Sequence, residues 1–278
     1  MCQLLALNAL LPTDIVFSFE GFRLRGGLTD QHTDGIGIAF FEQTGCRLLI
    51  DTTPASTSPV SDWIRQNPIC AENIVAHIRK ATQGKIALEN THPFSRELWG
   101  KKWVFAHNGQ LNALPDLPFG TAFTPVGQTD SELAFCHILC ALAEQFATTP
   151  CEQDLFNALI PIVKKLACLG PFNFVLSFGE YLIVHGSTNL HYLHRAAPFS
   201  KSTLKDTALS IDFSEITFKN NRLNNKVMLI ATQPLTENEP WVAFAQGELM
   251  LLKGGEIVYR ELTCPSPAPA CANQALTV

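Results

Sequence analysis

The chain opens with residues 1–12, MCQLLALNALLP, in which a cysteine at position 2 precedes a short apolar run. Residues 3–7 are predicted to form a buried strand. The run has no positively charged segment before it, and Pro12-Thr13-Asp14 stands where a secretory signal would need small residues for cleavage. It is also too short to span a membrane. The sequence therefore predicts a first strand in a cytoplasmic protein that does not bind membranes.

Cys2 becomes the N-terminal residue if Met1 is removed, which aminopeptidases do when the next side chain is small. Cys2 would then carry a thiol and a free α-amine, with unperturbed pKa values of about 8.5 and about 7.7–8.0. The amine could take the thiol proton near neutral pH, so no histidine base would be needed. Taken alone, Cys2 is more simply interpreted as a small apolar residue that begins a buried strand.

The remainder of the chain is predicted to place strands on both sides of a helical region. Helices are predicted up to Gly21 and over 59–67, 130–147 and 151–168; strands are predicted over 36–41, 46–50, 73–79, 103–107, 172–178, 181–185, 190–195, 227–232 and 248–259, the last with a turn at Gly254-Gly255. This order favours an α+β fold with stacked sheets over an alternating parallel sheet. We predict one domain over residues 1–263 and a loosely ordered Pro/Ala-rich tail over 264–278.

Composition narrows the class of function. The net charge is -5 and the basic residues are scattered, which argues against a nucleic-acid partner. Nine cysteines at irregular spacing suggest free thiols in a reducing compartment. Cys136 and Cys140 flank His137 but lack further ligands at zinc-like spacing, so we predict no metal site. No G-x-G-x-x-G or P-loop motif occurs, so no nucleotide cofactor is predicted.

The dipeptide Asn108-Gly109 follows an apolar strand and has two interpretations. It is the strongest short signal for a type I′ hairpin turn. The asparagine side-chain amide and the glycine backbone N–H could instead converge on one oxygen and form an oxyanion hole, since glycine allows close approach. Taken alone, the turn is the simpler interpretation.

Two charged residues are candidates for binding a substrate with both an anionic and a cationic group. Arg79 closes an apolar strand and could bind a carboxylate through its planar fork, or be a surface arginine. Asp130 could pair with an ammonium group, or be a first-turn acid, because Thr129 and Glu132 have the spacing of a capping box. Together with Cys2, Asn108 and Gly109, these residues suit an amino acid that bears a side-chain amide.

The sequence resembles the class II glutamine amidotransferases, which are N-terminal-nucleophile hydrolases, and within them the small stand-alone YafJ-type branch. The resemblance rests on six segments in the family's order, which cover roughly residues 1–133: Met1-Cys2, Asp34-Gly35-Ile36-Gly37, His77-Ile78-Arg79-Lys80-Ala81-Thr82, Asn90-Thr91-His92-Pro93, His107-Asn108-Gly109 and Gln128-Thr129-Asp130-Ser131-Glu132.

The resemblance implies a four-layer αββα sandwich and assigns roles by position. It makes Cys2 the nucleophile, with Asn108 and Gly109 as the oxyanion donors. The residues it assigns to substrate binding are Arg79, Thr82, His92 and Asp130, and it suggests Ser187-Thr188-Asn189 as a further pocket wall. The histidines at 185, 191 and 194 are interpreted as structural or surface residues. Lys80 departs from the family, which often has an aromatic residue there, as does Gln83 where many members have histidine.

Three functions remain open from the sequence. The protein could hydrolyse free glutamine and pass ammonia to a protein partner, since no acceptor domain is evident in the chain. It could instead cleave a γ-glutamyl peptide or amine, alone or in a complex. The third possibility is a non-catalytic amino-acid-binding or scaffolding protein, which would gain weight if Met1 were retained.

Overall fold

A computed structural model describes residues 2–112, 114, 120–215 and 224–263. Its largest element is a seven-stranded antiparallel sheet with the N-terminal strand at its centre. In spatial order the strands are β13 (Val242–Ala243), β9 (His191–Arg195), β12 (Val227–Ala231), β1 (Gln3–Thr13), β4 (Ala71–Ile78), β2 (Ile36–Glu42) and β3 (Gly45–Asp51). Both faces of β1 are apolar, and Leu5 faces one buried cluster while Leu4 faces another. A strand covered on both faces belongs in the middle of a layered fold.

A six-stranded antiparallel sheet stacks on the first. In spatial order its strands are β15 (Glu256–Leu262), β14 (Glu248–Lys253), β8 (Leu182–Gly186), β7 (Phe172–Ser177), β6 (Lys101–Gly109) and β5 (Phe94–Leu98). The side chains of Val104 and Ala106 on β6 meet Leu4 and Ala6 of β1 in the cluster between the sheets. The alternate residues of β6, such as Phe105, face outward into a different cluster. This period of two is the side-chain geometry of a strand.

Helices cover the outer face of each sheet. The helices α1 (Val16–Leu24) and α2 (Pro59–Gln66) accompany the seven-stranded sheet, and α3 (Asp130–Gln145) and α4 (Glu152–Ala167) pack on the six-stranded sheet. Three apolar clusters therefore fill the spaces between the four layers of helices and sheets. The predicted α+β class and αββα sandwich are confirmed. The described part also contains a small ribbon of β10 (Lys201–Thr203) and β11 (Ser210–Asp212), and a 3₁₀ turn at Leu88–Asn90.

The first strand is longer than the sequence predicted. It continues to Thr13 past a register shift after Asn8, because the Leu10 amide donates to the Lys226 carbonyl at 2.9 Å and the Leu11 amide to Asn225 Oδ1 at 3.0 Å. These partners come from a distant part of the chain, so the local sequence could not indicate them. The first helix consequently begins at Val16.

The turn interpretation of Asn108-Gly109 was wrong. Both residues are in β6, where Asn108 pairs with Asn173 and Gly109 with Phe172. The hairpin turn lies at the other end of β6, at Trp99-Gly100, where both φ angles are positive, 57° and 70°. This turn joins β6 to β5. The prediction missed β5 because the middle residues of that strand, Ser95 to Glu97, are polar and only its two ends are buried.

No helix in the described ranges is both long and apolar enough to cross a membrane. The tail predicted for 264–278 lies outside the described residues, as does Met1.

Candidate functional site

Cys2 lies immediately before β1, against the end of β4. Its Sγ accepts a hydrogen bond from the Lys80 amide at 3.3 Å and donates to the Lys80 carbonyl at 3.4 Å, so one peptide group fixes the thiol. The residue is partly exposed and lines a cavity of about 330 Å³, whose other walls are Lys80, Thr82, Gly109, Gln110, Asn112 and Pro171. Cys2, Thr82 and Gly109, predicted from separate motifs, therefore share one cavity.

The thiol is a weak acid in this setting. Burial raises the pKa of Cys2 and is opposed by the hydrogen bond from the Lys80 amide and by the positive charge of Arg79. Since the thiolate is the nucleophilic form of cysteine, a nucleophilic role for this thiol would require a base.

Gly109 closes the cavity at the end of β6, where no other residue fits. A Cβ on Gly109 would stand 1.8 Å from the Pro171 carbonyl oxygen. The Asn108 carbonyl accepts a hydrogen bond from Asn173 Nδ2 of β7 at 2.9 Å. In a trans peptide the C=O of one residue and the N–H of the next point in opposite directions. The Gly109 N–H therefore points away from β7, toward the other side of β6. On that side β5 pairs with β6 only as far as Phe105, so no β5 residue pairs with Gly109.

The Asn108 side chain is buried between the two sheets. Its Nδ2 donates to Thr232 Oγ1 over a long 3.4 Å, and the same hydroxyl accepts the Leu4 amide at 2.9 Å. Its Oδ1 is buried with no hydrogen-bond partner among the described residues. The side chain is therefore held by one long hydrogen bond, from Nδ2 to Thr232.

Asn173, which sequence reasoning missed, holds the end of β6 in position. It is fully buried, and its Nδ2 also donates to Thr188 Oγ1 at 2.7 Å. Its Oδ1 accepts the amides of Ser187 and Thr188 at 2.9 and 3.0 Å. Ser187 and Thr188 therefore brace Asn173 and do not line the Cys2 cavity.

Arg79 is almost fully buried, opposite the start of β1. Its guanidinium donates to the carbonyls of Gln83, Gly84 and Lys85 at 3.0, 3.2 and 3.1 Å. These bonds use three of its five N–H groups. Burial lowers the pKa of Arg79, against the charges of Cys2 and Asp34. The guanidinium thus holds the loop that begins at Thr82, beside the cavity.

Asp130 lines a second cavity, of about 360 Å³, which shares Asn112 with the first. It is the first residue of α3, and Oδ2 accepts the Leu111 amide at 2.7 Å. The capping interpretation also holds, because Thr129 Oγ1 accepts the Glu132 amide at 3.2 Å. Asp130 therefore belongs to the first turn of α3 and also lines the cavity that adjoins the Cys2 cavity.

His92 does not line the Cys2 cavity. Its ring stacks on His77 and Phe94, with centroids 4.1 and 4.4 Å apart. Both of its ring nitrogens lack hydrogen-bond partners among the described residues. Burial lowers the pKa of His92 well below its usual value and that of His77 to about 3, so both rings are neutral at neutral pH. The His92 ring therefore packs against neighbouring rings and is not a wall of the cavity.

Of the other histidines considered from the sequence, His185 and His191 have hydrogen-bond partners in the fold and His194 is exposed. His185 bonds to the Phe172 carbonyl and to Thr263 Oγ1, and His191 Nδ1 bonds to the Thr232 carbonyl at 3.1 Å. The described residues contain no group of three or more His, Cys, Asp or Glu side chains that could hold a metal ion.

Gln110, Asn112 and Pro171 are cavity residues that sequence reasoning did not select. The first two could have been found, because they are polar residues within three positions of Asn108-Gly109. Pro171 has no such signal, since it reaches the cavity only through the pairing of β6 with β7.

The chain matches known proteins along most of its length. A family model described as "Glutamine amidotransferases class-II" matches residues 1–275. A Haemophilus influenzae protein called "Putative glutamine amidotransferase" is 50% identical over 268 residues, covering 96% of this chain and 90% of that protein. An Escherichia coli K12 protein called "Putative glutamine amidotransferase YafJ" is 47% identical over 259 residues, covering 93% of this chain and 100% of that protein.

Solved structures agree with these matches. The crystal structure of a predicted glutamine amidotransferase from Pseudomonas aeruginosa PA01 has a TM-score of 0.73 and 38% identity, covering 93% of this chain and 100% of that one. The B. subtilis glutamine phosphoribosylpyrophosphate amidotransferase has a TM-score of 0.59 at 14% identity, covering 95% of this chain and 50% of that one, and shows the shared fold alone. On the family match and these identities, the chain belongs to the class II glutamine amidotransferases.

Proposed function

We propose that this protein hydrolyses the γ-amide of glutamine or of a γ-glutamyl compound through a thioester on Cys2. The family to which it belongs acts on the amide of glutamine. The observation that carries the proposal is the shared cavity, in which the Cys2 thiol and Gly109 form two walls. Acyl transfer requires at least a nucleophile and a hydrogen-bond donor that stabilises the oxyanion, both facing the same cavity.

The proposal requires that Met1 be removed, so that Cys2 has a free α-amine. Burial raises the pKa of the thiol, and the amine is the base that lies closest to it along the chain. An α-amine has an unperturbed pKa of about 7.7–8.0, which suits proton exchange near neutral pH.

The reaction then proceeds in two balanced halves. The α-amine takes the Sγ proton while Sγ bonds to the γ-carbonyl carbon, and the carbonyl oxygen becomes an oxyanion. The C–N bond breaks as the α-ammonium returns that proton to the leaving amine, which departs as ammonia or a free amine. Water then adds to the thioester, the C–S bond breaks, and glutamate leaves with the thiol restored.

Asn108 Nδ2 and the Gly109 N–H are proposed to stabilise the oxyanion. The present bond from Nδ2 to Thr232 is long, so a charged oxygen would compete well for this donor. Each oxyanion donor is worth roughly 10²–10³ in rate at comparable acyl-transfer sites.

Substrate binding is proposed for Arg79, Thr82 and Asp130. Arg79 has two N–H groups without partners among the described residues and offers positive charge for an α-carboxylate. Asp130, on the adjoining cavity, offers negative charge for an α-ammonium. His92 is proposed to support the floor of the site and not to contact substrate.

We further propose that the protein works in the cytoplasm and releases its amine product to water or to a protein acceptor. Seven described cysteines are free thiols, as expected in a reducing compartment.

Intact-mass measurement after incubation with a glutamine-like diazo-ketone tests the proposal. The expected result is loss of Met1 and one covalent adduct, which Cys2→Ala abolishes. Cys70→Ala is the matched control, because Cys70 is exposed and distant from the cavity walls, and it should label like wild type. Met1 lost with no adduct would overturn a glutamyl site, and Met1 retained with no adduct would favour the non-catalytic binding role.

A further inference from the structure

Asn90 lies between two chain segments that form walls of the second cavity, the one that Asp130 lines. Its side chain is fully buried, at the end of the 3₁₀ turn. Nδ2 donates to the Lys85 carbonyl at 3.1 Å, and Oδ1 accepts the Gln128 amide at 2.8 Å. Lys85 belongs to the loop that contains the wall residue Gln83, and Gln128 is itself a wall residue. One side-chain amide therefore joins the two walls.

Each of these walls also packs on the Asn90 amide through a glycine. A Cβ on Gly84, whose φ angle is +70°, would lie 3.1 Å from Nδ2, and a Cβ on Gly127 would overlap Oδ1. Glycine is the residue that allows a backbone to approach a neighbouring group so closely. The positions of the two walls are therefore set by direct contact with Asn90 as well as by its hydrogen bonds.

The Lys85 carbonyl connects Asn90 to Arg79. It accepts a hydrogen bond from Arg79 Nη1 at 3.1 Å as well as the one from Asn90. The guanidinium also donates to two other carbonyls of the same loop, so its direction depends on where this loop stands. On the opposite wall, Asn90 fixes the Gln128 amide, two residues before Asp130. Hydrogen bonds and peptide groups therefore connect Arg79 through Asn90 to Asp130.

We infer that Asn90 is a positioning residue that fixes the separation between Arg79 and Asp130, the side chains proposed to bind the α-carboxylate and the α-ammonium of the substrate. This inference rests on the proposed function and adds a residue that lines neither cavity. The two substrate groups are bonded to the same α-carbon, so the distance between their charges is nearly constant. A site that already holds its own charges at the matching distance binds both groups with less loss of entropy.

The test compares two reagents that both alkylate the Cys2 thiol. The glutamine-like diazo-ketone carries an α-carboxylate and an α-ammonium, whereas iodoacetamide carries neither. Asn90→Leu keeps a similar side-chain volume and removes both hydrogen bonds. We expect it to lower the second-order rate constant for the diazo-ketone about 10- to 100-fold and to leave that for iodoacetamide within about threefold of wild type. Peptide mapping by mass spectrometry follows Cys2 alone, because other cysteines of the chain are exposed.

Asn90→Asp is a second variant, which keeps the test informative if Asn90→Leu does not fold. It retains an acceptor oxygen for the Gln128 amide and loses the donor to the Lys85 carbonyl. The rate constant for the diazo-ketone should therefore fall again, by a smaller factor than in Asn90→Leu, and the rate constant for iodoacetamide should again stay near that of wild type.

Asn73→Leu is the matched control, because Asn73 is another buried asparagine whose amide joins two separate segments. Its Nδ2 donates to the Gly179 carbonyl at 2.8 Å, and its Oδ1 accepts Asn8 Nδ2 at 2.9 Å, near the end of β4 opposite Arg79. Asn73→Leu should lower the thermal stability to a degree comparable with Asn90→Leu and should react with both reagents at the wild-type rates.

Two results would overturn the inference alone. A wild-type rate with the diazo-ketone in both Asn90 variants would show that the spacing does not depend on Asn90. An equal loss with both reagents would show a general disturbance of Cys2. A wild-type protein that iodoacetamide alkylates at Cys2 and the diazo-ketone does not would instead overturn the proposed function, and the inference with it.

Discussion

At the scale of single residues, the Cys2 thiol is held by one peptide group, that of Lys80, and by little else. Cys2→Ala should abolish hydrolysis, with a loss of at least about 10³-fold, because no other nucleophile replaces the thiol. The free energy of unfolding should change by less than about 1 kcal/mol, since the side chain is small and partly exposed. Steady-state rates and thermal unfolding are the measurements. Wild-type-like turnover by the variant would contradict the mechanism.

Asn173 is linked to the proposed oxyanion site through its hydrogen bond to the Asn108 carbonyl. Asn173→Asp keeps the size and the acceptor oxygen but removes the donor to that carbonyl, so the Gly109 N–H loses its fixed direction. We expect kcat to fall about 10- to 100-fold with KM within about threefold, because an oxyanion donor acts mainly in the transition state. Thr188→Val, which removes only the bond to Thr188 Oγ1, is the control and should affect kcat less. A higher KM with kcat unchanged would show instead that Asn173 affects substrate binding.

Position 109 has no room for a side chain. Gly109→Ala would put a Cβ against the Pro171 carbonyl, so β6 and β7 must separate at the proposed oxyanion site. We expect a fall in kcat of about 10²-fold or more and a loss of stability of about 1–3 kcal/mol. Gly45→Ala is the control, since its Cβ would meet the nearest atom at 3.4 Å. Denaturant unfolding and initial rates measure both effects, and an active Gly109→Ala protein would remove Gly109 from the proposed oxyanion site.

At the scale of elements, Glu132 ties the start of α3 to the loop before it. This buried carboxylate accepts the Val126 and Gly127 amides at 3.0 and 2.7 Å and pairs with Arg96. Glu132→Gln removes the charge that Arg96 requires and replaces an acceptor oxygen by a donor. We expect a loss of about 3–5 kcal/mol, and a higher KM because the loop borders the Asp130 cavity.

Thr129→Ala is the comparison for that change. It removes only the helix N-cap bond to the Glu132 amide, so a loss of about 1 kcal/mol is expected. Chemical unfolding of the two variants gives the measurement. A similar cost for both would mean that the Glu132 network contributes no more than an ordinary cap.

At the scale of the whole molecule, the buried histidines make folding sensitive to acid. Burial lowers the pKa of His77 to about 3 and of His185 to about 4, and lowers that of His92 well below normal. The unfolded chain therefore binds more protons than the folded one below about pH 6.5, so stability is complete above that pH and falls as pH drops toward 4. Within this window each such histidine lowers the free energy of unfolding by about 1.4 kcal/mol for every unit by which the pH falls.

His92→Phe tests this dependence, because both ring nitrogens of His92 lack partners and the ring only stacks. The variant should lose less stability than wild type between pH 6 and 4.5, by about 1.4 kcal/mol per pH unit. His194→Gln, on an exposed strand residue, is the control and should keep the wild-type slope. Urea unfolding over this pH range is the measurement, and parallel curves for wild type and His92→Phe would contradict the argument.

Prediction from sequence succeeded where the signal is local. The strand pair β2 and β3 and the helices α2, α3 and α4 lie within about two residues of the predicted positions, because their apolar periodicity and end signals are short-range. The edge strand β5 and the extension of β1 were missed, since both depend on distant pairing partners. Asn108-Gly109 was ambiguous for the same reason.

The sequence by itself indicated an α+β fold with stacked sheets, through strands on both sides of a helical region. Its resemblance to the family implied the αββα layering and identified the motif residues. Only the tertiary structure decided that the Lys80 peptide holds the thiol, that Pro171 excludes any side chain at Gly109, and that Arg79 bonds to its own loop. The physical reason is the range of the interactions. Periodicity and capping act within a few residues of the chain, whereas the site is made by strand ends that meet across two sheets.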